Sequence, residues 1–202
     1  MLELGLKMLI AYLLGSLLGA LVIGAAQGVD IRLQGSGNAG GTNALRTQGV
    51  WFAAGVVLID VGKGALAAAW LPAWEIPGIA GAAGIERGWI AAACAAAAVA
   101  GHVWPLYHEF RGGKGGATLA GALLMLAPAV LPVAIGGWLL IVLLTGFAGL
   151  ATMVAAGAVP VALWLLGPPA LPLLTFAIAM AAFILWTHRG NIGRMRGGSE
   201  PQ

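Results

Sequence analysis

The feature that most constrains the fold is a long stretch without charge. No charged residue occurs between Ala117 and Trp186. Over the whole chain only 8% of the residues are charged and 60% are hydrophobic, whereas a soluble domain carries about 25% charged residues. So little charge cannot cover a surface that faces water, so lipid must be part of the solvent. The sequence therefore predicts an all-α, polytopic membrane protein.

Polar segments, prolines and glycines divide the chain into helices, each of which needs about 20 apolar residues to span a bilayer. They predict about seven transmembrane helices, at residues 4–26, 50–71, 88–107, 117–128, 130–147, 150–166 and 171–187. The piece at 117–128 is short, so six helices is the alternative. A signal peptide is the alternative for the first apolar stretch, but that stretch is long enough to span. Abundant glycine and alanine favour close helix packing, which predicts one integral-membrane domain over residues 1–202, with a disordered tail at 197–202.

The basic residues indicate the orientation of the bundle. With seven helices, the segments 28–49, 108–116 and the C-terminal tail lie on one face of the membrane. That face then holds Arg32, Arg46, Arg111, Lys114, Arg189, Arg194 and Arg196, and the opposite face holds only Lys7 and Arg87. The distribution predicts that the glycine-rich loops face the cytoplasm.

The first segment that carries chemistry runs from Gly35 to Arg46, with the sequence GSGNAGGTNALR. Glycines let backbone N–H groups converge on an anion, and a helix that starts there adds the positive end of its dipole. Arg46 offers a planar fork for a phosphate. The glycines also match the G-x-G-x-x-G dinucleotide pattern, but that pattern requires a preceding strand. A flexible loop with a helix cap is the remaining alternative.

The second segment, Phe110 to Thr118, places Lys114 among four glycines ahead of a helix. Glycine instead of Ser or Thr follows the lysine, so the segment is not a nucleotide P-loop. It still suits an anion, and the alternative is a positive-inside topology signal. Just upstream, His102 is predicted to be a hydrogen-bonded packing residue at the end of the third helix.

The third segment, His188 to Arg194, follows the last helix. If the helix continues, His188 and Asn191 share one of its faces; the alternative is a basic anchor at the membrane interface. Asp60 and Lys63 lie inside the second helix, where a lone charge costs roughly 2.5–3.5 kcal/mol. We therefore expect them to pair or to face the interior of the bundle.

Taken in order, GSGNAGGTNALR, DVGKG, GHVWPLYHEFRGGKGGAT and THRGNIGR resemble the bacterial acyl-phosphate:glycerol-3-phosphate acyltransferase family (PlsY) over nearly the whole chain. The resemblance implies a seven-helix enzyme of the inner membrane. Such an enzyme transfers a fatty acyl group from acyl-phosphate to the 1-hydroxyl of sn-glycerol 3-phosphate. The products are lysophosphatidic acid and inorganic phosphate, in the first step of bacterial phospholipid synthesis. The implied partners are the two substrates, membrane lipid and the soluble enzyme that makes acyl-phosphate.

The resemblance also implies the site residues. The implied catalytic set is Ser36, Arg46, Lys114, His188 and Asn191. The implied substrate- and phosphate-binding set is Gly37, Asn38, Thr42, Asn43, Gly113 and Gly115. The stretch near Gly149 and Thr152 departs from the Ser-rich form of the family and is left out. No cofactor or metal is expected, Cys94 is expected to be a buried thiol without a metal-binding or disulfide partner, and a net charge of +3 does not argue for nucleic acid.

The residues suggest direct attack rather than an acyl-enzyme, because no Ser-His-Asp set is evident. An acyl phosphate has a good leaving group, so positioning and donors to the developing oxyanion can lower the barrier. Either His188 or a substrate phosphate oxygen takes the hydroxyl proton. A transporter for a phosphorylated solute is the alternative class, but the sequence shows no repeat symmetry. The His-x4-Asp pattern of acyl-CoA-using acyltransferases is absent.

Overall fold

The computed structural model describes residues 1–79, 81 and 84–201. Ten α-helices and two short 3-10 helices (Ile31–Leu33 and Leu106–His108) occur in these ranges, and no β-strand does. The α-helices are α1 (Leu2–Gly15), α2 (Gly19–Gln27), α3 (Gly41–Gln48), α4 (Val50–Ala73), α5 (Arg87–Val103), α6 (Gly116–Leu126), α7 (Leu131–Thr145), α8 (Ala148–Leu166), α9 (Leu171–Thr187) and α10 (Arg189–Arg196). The predicted all-α class is confirmed. The helices fall into two compact units, Met1–Leu126 with α1–α6 and Ala127–Gln202 with α7–α10.

Several helices are long and apolar enough to cross a membrane. They are α4, α8, and α5 together with the turn that extends it to His108. The pairs α1–α2 and α9–α10 each meet the same criterion as one span, with bends of 43° and 48°. The helices α6 and α7 are shorter, so the predicted number of seven spans stays a prediction. Gly146 and Gly167, both with positive φ, end α7 and α8 where the sequence predicts turns.

The prediction of one continuous helix over residues 4–26 is wrong. α1 ends at Gly15 and α2 begins at Gly19. Across this break, Lys63 Nζ donates to the carbonyl oxygen of Leu17 at 2.9 Å, and Asp60 Oδ1 accepts from the N–H of Gly19 at 3.1 Å. A bilayer core holds no water to satisfy freed backbone groups. The two buried side chains therefore make the break possible.

A second correction concerns the polar segment before α4. The sequence predicts that the glycine-rich stretch leads directly into the helix at residue 50, whereas a separate short helix, α3, intervenes. Gly49, with a φ of 85°, separates α3 from α4. The helix N-terminus that follows the glycines therefore belongs to α3, and Arg46 lies on this short helix.

Glycines bring the backbones of the first unit into contact. A Cβ on Gly15 of α1 would overlap with the carbonyl group of Ala98 on α5, and one on Gly64 of α4 would overlap with the carbonyl oxygen of Thr118 on α6. Small residues permit such an approach between membrane helices. These two crossings fix the end of α5 and the start of α6, which flank the second glycine-rich loop.

The two ends of the first unit differ in their polar groups. At one end, Lys7 pairs with Glu3 at 2.7 Å and donates to the carbonyl oxygen of Pro72 at 3.0 Å, near the end of α4. Arg87 lines a cavity at this end together with Glu3, Lys7 and Pro72. The 24 residues of α4 rise about 36 Å at 1.5 Å per residue, so this end lies far from Val50 and the glycine-rich loop that precedes it. The predicted separation of Lys7 and Arg87 from that loop is confirmed.

In the second unit, α8 packs against both α7 and α9, and α10 contacts α8 and α9. The indole N–H of Trp138 donates to Thr152 Oγ1 at 3.0 Å and links α7 to α8. One face of α8 is buried, including Ala156 and Val159. This arrangement places α10, which follows His188, beside the helices of its own unit.

Candidate active site

Asn43 gives the first glycine-rich loop its shape. Its side chain is buried, and its Nδ2 donates to the carbonyl oxygens of Ile31 and Gln34, both at 3.0 Å. Its Oδ1 accepts from the N–H of Ser36 at 2.9 Å. Three hydrogen bonds from one amide thus hold residues 31–36 against the first turn of α3.

The glycines of this loop are required by its backbone. Gly35 and Gly37 have φ values of 56° and 70°, in the left-handed region that side chains disfavour. A Cβ on Gly35 would also overlap with the Asn43 side chain. Gly40, which has no side chain to cap the helix, precedes α3. The first N–H groups of a helix have no partner within the helix, so this end of α3 suits an anion.

The other predicted residues of this segment lie before the start of α3 and along the helix itself. Ser36 and Gly37 are exposed, Asn38 and Thr42 are half-buried, and Arg46 is exposed on the last turn of α3. Asn38 lies against Gly40, where a Cβ would come within 2.7 Å of its Nδ2.

The second loop is held against the end of α5. The N–H of Gly113 donates to the carbonyl oxygen of His102 at 3.1 Å, and a Cβ on Gly113 would overlap with His102 Nε2. Gly115, with a φ of 88°, immediately precedes α6, and its carbonyl oxygen accepts from the N–H of Leu119 at 2.8 Å. Lys114 is half-buried between these two anchored glycines. Its backbone position is therefore fixed from both sides.

The two loops contact each other through Arg32. Its guanidinium binds the Asp30 carboxylate, with an Nη2–Oδ2 distance of 2.7 Å, and Nη1 donates to the carbonyl oxygen of His108 at 3.4 Å. The hydrogen bonds from Arg32 hold the pKa of Asp30 below its usual value, and the carboxylate raises the pKa of Arg32. The prediction that these two polar segments share one face is confirmed. Arg32 itself joins the loops.

A buried polar cluster lies beneath the second loop. Lys63 Nζ is 2.8 Å from Asp60 Oδ1 and 2.9 Å from His102 Nδ1, and the three side chains are nearly inaccessible to solvent. The predicted pairing of Asp60 with Lys63 and the predicted hydrogen bonding of His102 are both confirmed. The cluster connects α4 to the end of α5.

In the second unit, His188 and Asn191 lie at the junction of α9 and α10. The 48° bend means that the last helix does not continue straight; His188 precedes α10 and Asn191 lies in its first turn. His188 Nδ1 is 2.8 Å from the carbonyl oxygen of Ile184. A carbonyl can only accept, so Nδ1 carries the hydrogen and Nε2 is the acceptor nitrogen of the neutral ring.

Two residues of this unit that contact Asn191 lie outside the predicted site. Glu200 accepts from Asn191 Nδ2 and pairs with Arg194 Nε, the latter at 2.8 Å. Its side chain is only 4% exposed, although the sequence places it in a tail predicted to be disordered. Gly149, at the start of α8, lies against Asn191, so that a Cβ would come within 2.9 Å of Asn191 Cγ. A lone acidic residue near the terminus gives no local signal, and the stretch near Gly149 is left out of the predicted site because it departs from the Ser-rich form of the family.

The structure thus groups the predicted residues by unit. Ser36, Gly37, Asn38, Thr42, Asn43, Arg46, Gly113, Lys114 and Gly115 belong to the two contacting loops of the first unit, and His188 and Asn191 belong to the second unit. In the described ranges, no group of three His, Cys, Asp or Glu residues could hold a metal ion.

Comparisons with known proteins agree with this chemistry. The family model described as glycerol-3-phosphate acyltransferase matches residues 5–198. A glycerol-3-phosphate acyltransferase of Rubrobacter xylanophilus is 39% identical over 96% of this chain and 92% of its own length. One of Gloeobacter violaceus is 41% identical over 95% of this chain and 91% of its own.

Solved structures also match. The crystal structure of PlsY (YgiH), an integral membrane glycerol 3-phosphate acyltransferase, in its glycerol 3-phosphate form has a TM-score of 0.86 and 32% identity, and covers 98% of this chain and 94% of that one. Its lysophosphatidic acid form has a TM-score of 0.84 at the same identity and coverage. The predicted polytopic membrane bundle and the resemblance in the motifs are confirmed, and the chain belongs to the glycerol-3-phosphate acyltransferase family.

Proposed function

We propose that this chain transfers a fatty acyl group from an acyl-phosphate to the 1-hydroxyl of sn-glycerol 3-phosphate, and releases lysophosphatidic acid and inorganic phosphate. Its family makes it an acyltransferase of phospholipid synthesis that acts on glycerol 3-phosphate. The donor, the products and the residues that act are the parts proposed here.

One observation carries the proposal: two anion-suited loops from distant parts of the chain contact each other at one end of the first unit. Arg32, which pairs with Asp30 of its own segment 28–49, donates to the carbonyl oxygen of His108 at the start of segment 108–116. This contact supports a site in which the segment with the α3 N-terminus and the segment with Lys114 act together. Both substrates present a phosphate, so a site with several separate donors suits them.

Within this site, Arg46 and Lys114 neutralise the phosphates, and Ser36, Thr42 and the N–H groups of the first turn of α3 donate hydrogen bonds to them. Hydrogen bonds that involve a charged group contribute about 1.5–3 kcal/mol each. The internal hydrogen bonds of Asn43 support a positioning role for that residue, because they hold the Ser36 backbone in place.

The chemistry is a direct acyl transfer. The 1-hydroxyl oxygen of glycerol 3-phosphate attacks the carbonyl carbon of the donor, the bond from that carbon to the phosphate oxygen breaks, and phosphate leaves with the bonding electrons. The hydroxyl proton passes to His188 Nε2 or to a phosphate oxygen. The hydrogen bond from His188 Nδ1 to Ile184 supports the first route, because it makes Nε2 the basic nitrogen. Asn191, held by Glu200, orients the substrate.

The proposed membrane location of the site follows from its polar and apolar groups. The acyl chain lies among the apolar helices while the phosphates remain at the interface. We place the loops on the cytoplasmic side of a bacterial inner membrane, where both substrates and the soluble enzyme that makes acyl-phosphate are accessible. The basic residues of the two loops support this orientation.

A donor assay on the purified chain in lipid vesicles tests the proposal. Palmitoyl-phosphate with glycerol 3-phosphate should give lysophosphatidic acid and inorganic phosphate in equal amounts, and palmitoyl-CoA should give no product. Lys114→Ala should lose at least about tenfold in kcat/KM, the equivalent of one charge-assisted hydrogen bond. Arg87→Ala, which removes an exposed cation at the opposite end of the first unit, is the matched control and should retain activity.

The proposed donor, the role of Lys114 and the direct transfer can each be disproved separately. Formation of lysophosphatidic acid from palmitoyl-CoA but not from palmitoyl-phosphate would overturn the proposed donor. Equal activity of Lys114→Ala and Arg87→Ala would remove Lys114 from the site. A stable acyl-enzyme trapped with labelled palmitoyl-phosphate would exclude direct transfer.

A further inference from the structure

In the buried cluster of Asp60, Lys63 and His102 under the second loop, every ammonium hydrogen of Lys63 is hydrogen-bonded. Each of the three ammonium hydrogens of Lys63 has an acceptor, namely the carbonyl oxygen of Leu17 at 2.9 Å, Asp60 Oδ1 at 2.8 Å and His102 Nδ1 at 2.9 Å. Asp60 Oδ1 also lies 3.4 Å from His102 Nδ1, so this edge of the imidazole contacts both members of the ion pair. The orientation of the imidazole is therefore set from inside the bundle.

The opposite edge of the same ring faces the phosphate loop. Nε2 lies where a side chain on Gly113 would be, so the imidazole packs directly on the backbone of that glycine. The carbonyl oxygen of His102 also accepts from the N–H of Gly113 at 3.1 Å. His102 thus contacts the residue before Lys114 with both its backbone and its ring.

We propose that His102 is a positioning residue: Asp60 and Lys63 lock its imidazole, and the locked imidazole fixes Gly113 so that Lys114 meets the phosphate of glycerol 3-phosphate. This inference rests on the proposed role of Lys114. His102 acts through the loop and does not touch the reacting atoms.

Asp60 and Lys63 pair the backbone at the break between α1 and α2, but the stability of that break does not require a histidine. A buried ion pair can often be replaced by apolar residues without loss of stability, and here Asp60 Oδ2 is buried without a hydrogen-bond partner among the described residues. Apolar side chains in their place could fill the volume, but they would leave the Leu17 carbonyl and the Gly19 N–H without these partners, and they could not orient an imidazole. Orientation of the ring is the property that connects the cluster to the loop.

The chain contains a matched control for this role. Glu3 and Lys7 form a second buried pair, 2.7 Å apart, and Lys7 donates to a backbone carbonyl just as Lys63 does. That pair lies at the opposite end of the first unit. The double variants Asp60→Asn/Lys63→Met and Glu3→Gln/Lys7→Met both remove a buried pair without leaving a lone charge.

The experiment compares these variants in vesicles by thermal unfolding, by equilibrium binding of glycerol 3-phosphate, and by KM for each substrate. Asp60→Asn/Lys63→Met should raise the Kd and KM for glycerol 3-phosphate about tenfold, with less than a twofold change in KM for palmitoyl-phosphate. The donor is insensitive because its acyl chain supplies most of its binding, whereas glycerol 3-phosphate has only polar groups. Glu3→Gln/Lys7→Met should leave both constants unchanged even if its melting temperature falls.

A second variant covers the case in which the first does not fold. His102→Asn retains an acceptor oxygen for Lys63 but removes the ring edge that packs on Gly113. It should raise the Kd for glycerol 3-phosphate about tenfold while the melting temperature stays near that of the wild type. An unchanged Kd in folded His102→Asn, or equal increases in the two double variants, would overturn the proposal. Because binding of glycerol 3-phosphate needs no donor, this result is distinct from a failure of the acyl-phosphate assay.

Discussion

The contact between α4 and α6 gives a prediction whose size can be worked out from the structure. A Cβ on Gly64 would overlap with the backbone oxygen of Thr118, whereas one on Gly62, two residues away on α4, would meet no atom within 4 Å. Gly62→Ala and Gly64→Ala gain the same helix propensity, up to about 1 kcal/mol. Only Gly64→Ala also overpacks the crossing, which costs about 1–3 kcal/mol. The difference between their free energies of unfolding is therefore expected to be about 1–3 kcal/mol.

Thermal unfolding in one detergent measures this difference. For a chain of about 200 residues, 1 kcal/mol shifts the melting temperature by about 2–4 °C. Gly64→Ala should therefore melt between about 2 and 12 °C below Gly62→Ala. It should also lose more activity, because α6 begins two residues after Lys114. Equal or higher stability of Gly64→Ala would refute the backbone contact and the placement of the loop that follows from it.

Three further predictions concern the loops and the tail. Asn43→Ala removes three internal hydrogen bonds and should destabilise the chain by about 1–3 kcal/mol and weaken glycerol 3-phosphate binding; calorimetry checks both. Asp30→Asn should destabilise the chain at pH 7 by no more than about 0.5 kcal/mol, because the ion pair is partly exposed. Since folding lowers the pKa of Asp30 from 3.8, its contribution is lost as the pH falls through the folded value, so the two melting curves should converge below pH 3.8. Glu200→Gln breaks the pair with Arg194, and hydrogen exchange at residues 197–201 should become faster.

The helix ends that the sequence predicts are those set by local chemistry. Gly146 and Gly167 end helices because each adopts a backbone conformation that favours glycine. The break between α1 and α2 depends instead on Asp60 and Lys63, which come from a different helix. No pattern within residues 4–26 reveals partners that lie more than 40 residues away.

The same distinction applies to the site. The glycines and basic residues of each loop are adjacent in the sequence, so the sequence alone predicts that each loop suits a phosphate. The inward direction of the Asn43 side chain and the contact of Gly149 with Asn191 depend on the folded backbone. Glu200 is a single acidic residue in a polar tail, and only the structure shows that it binds Asn191.

The central claim is that two loops form one site for the phosphate of glycerol 3-phosphate. Equilibrium binding of glycerol 3-phosphate to Arg46→Ala and to Lys114→Ala, with Arg87→Ala as the control, tests it most directly. Each of the first two variants should raise the Kd at least about tenfold, equivalent to about 1.4 kcal/mol, and the control should leave it unchanged. An unchanged Kd in either Arg46→Ala or Lys114→Ala would contradict a site shared by the two loops.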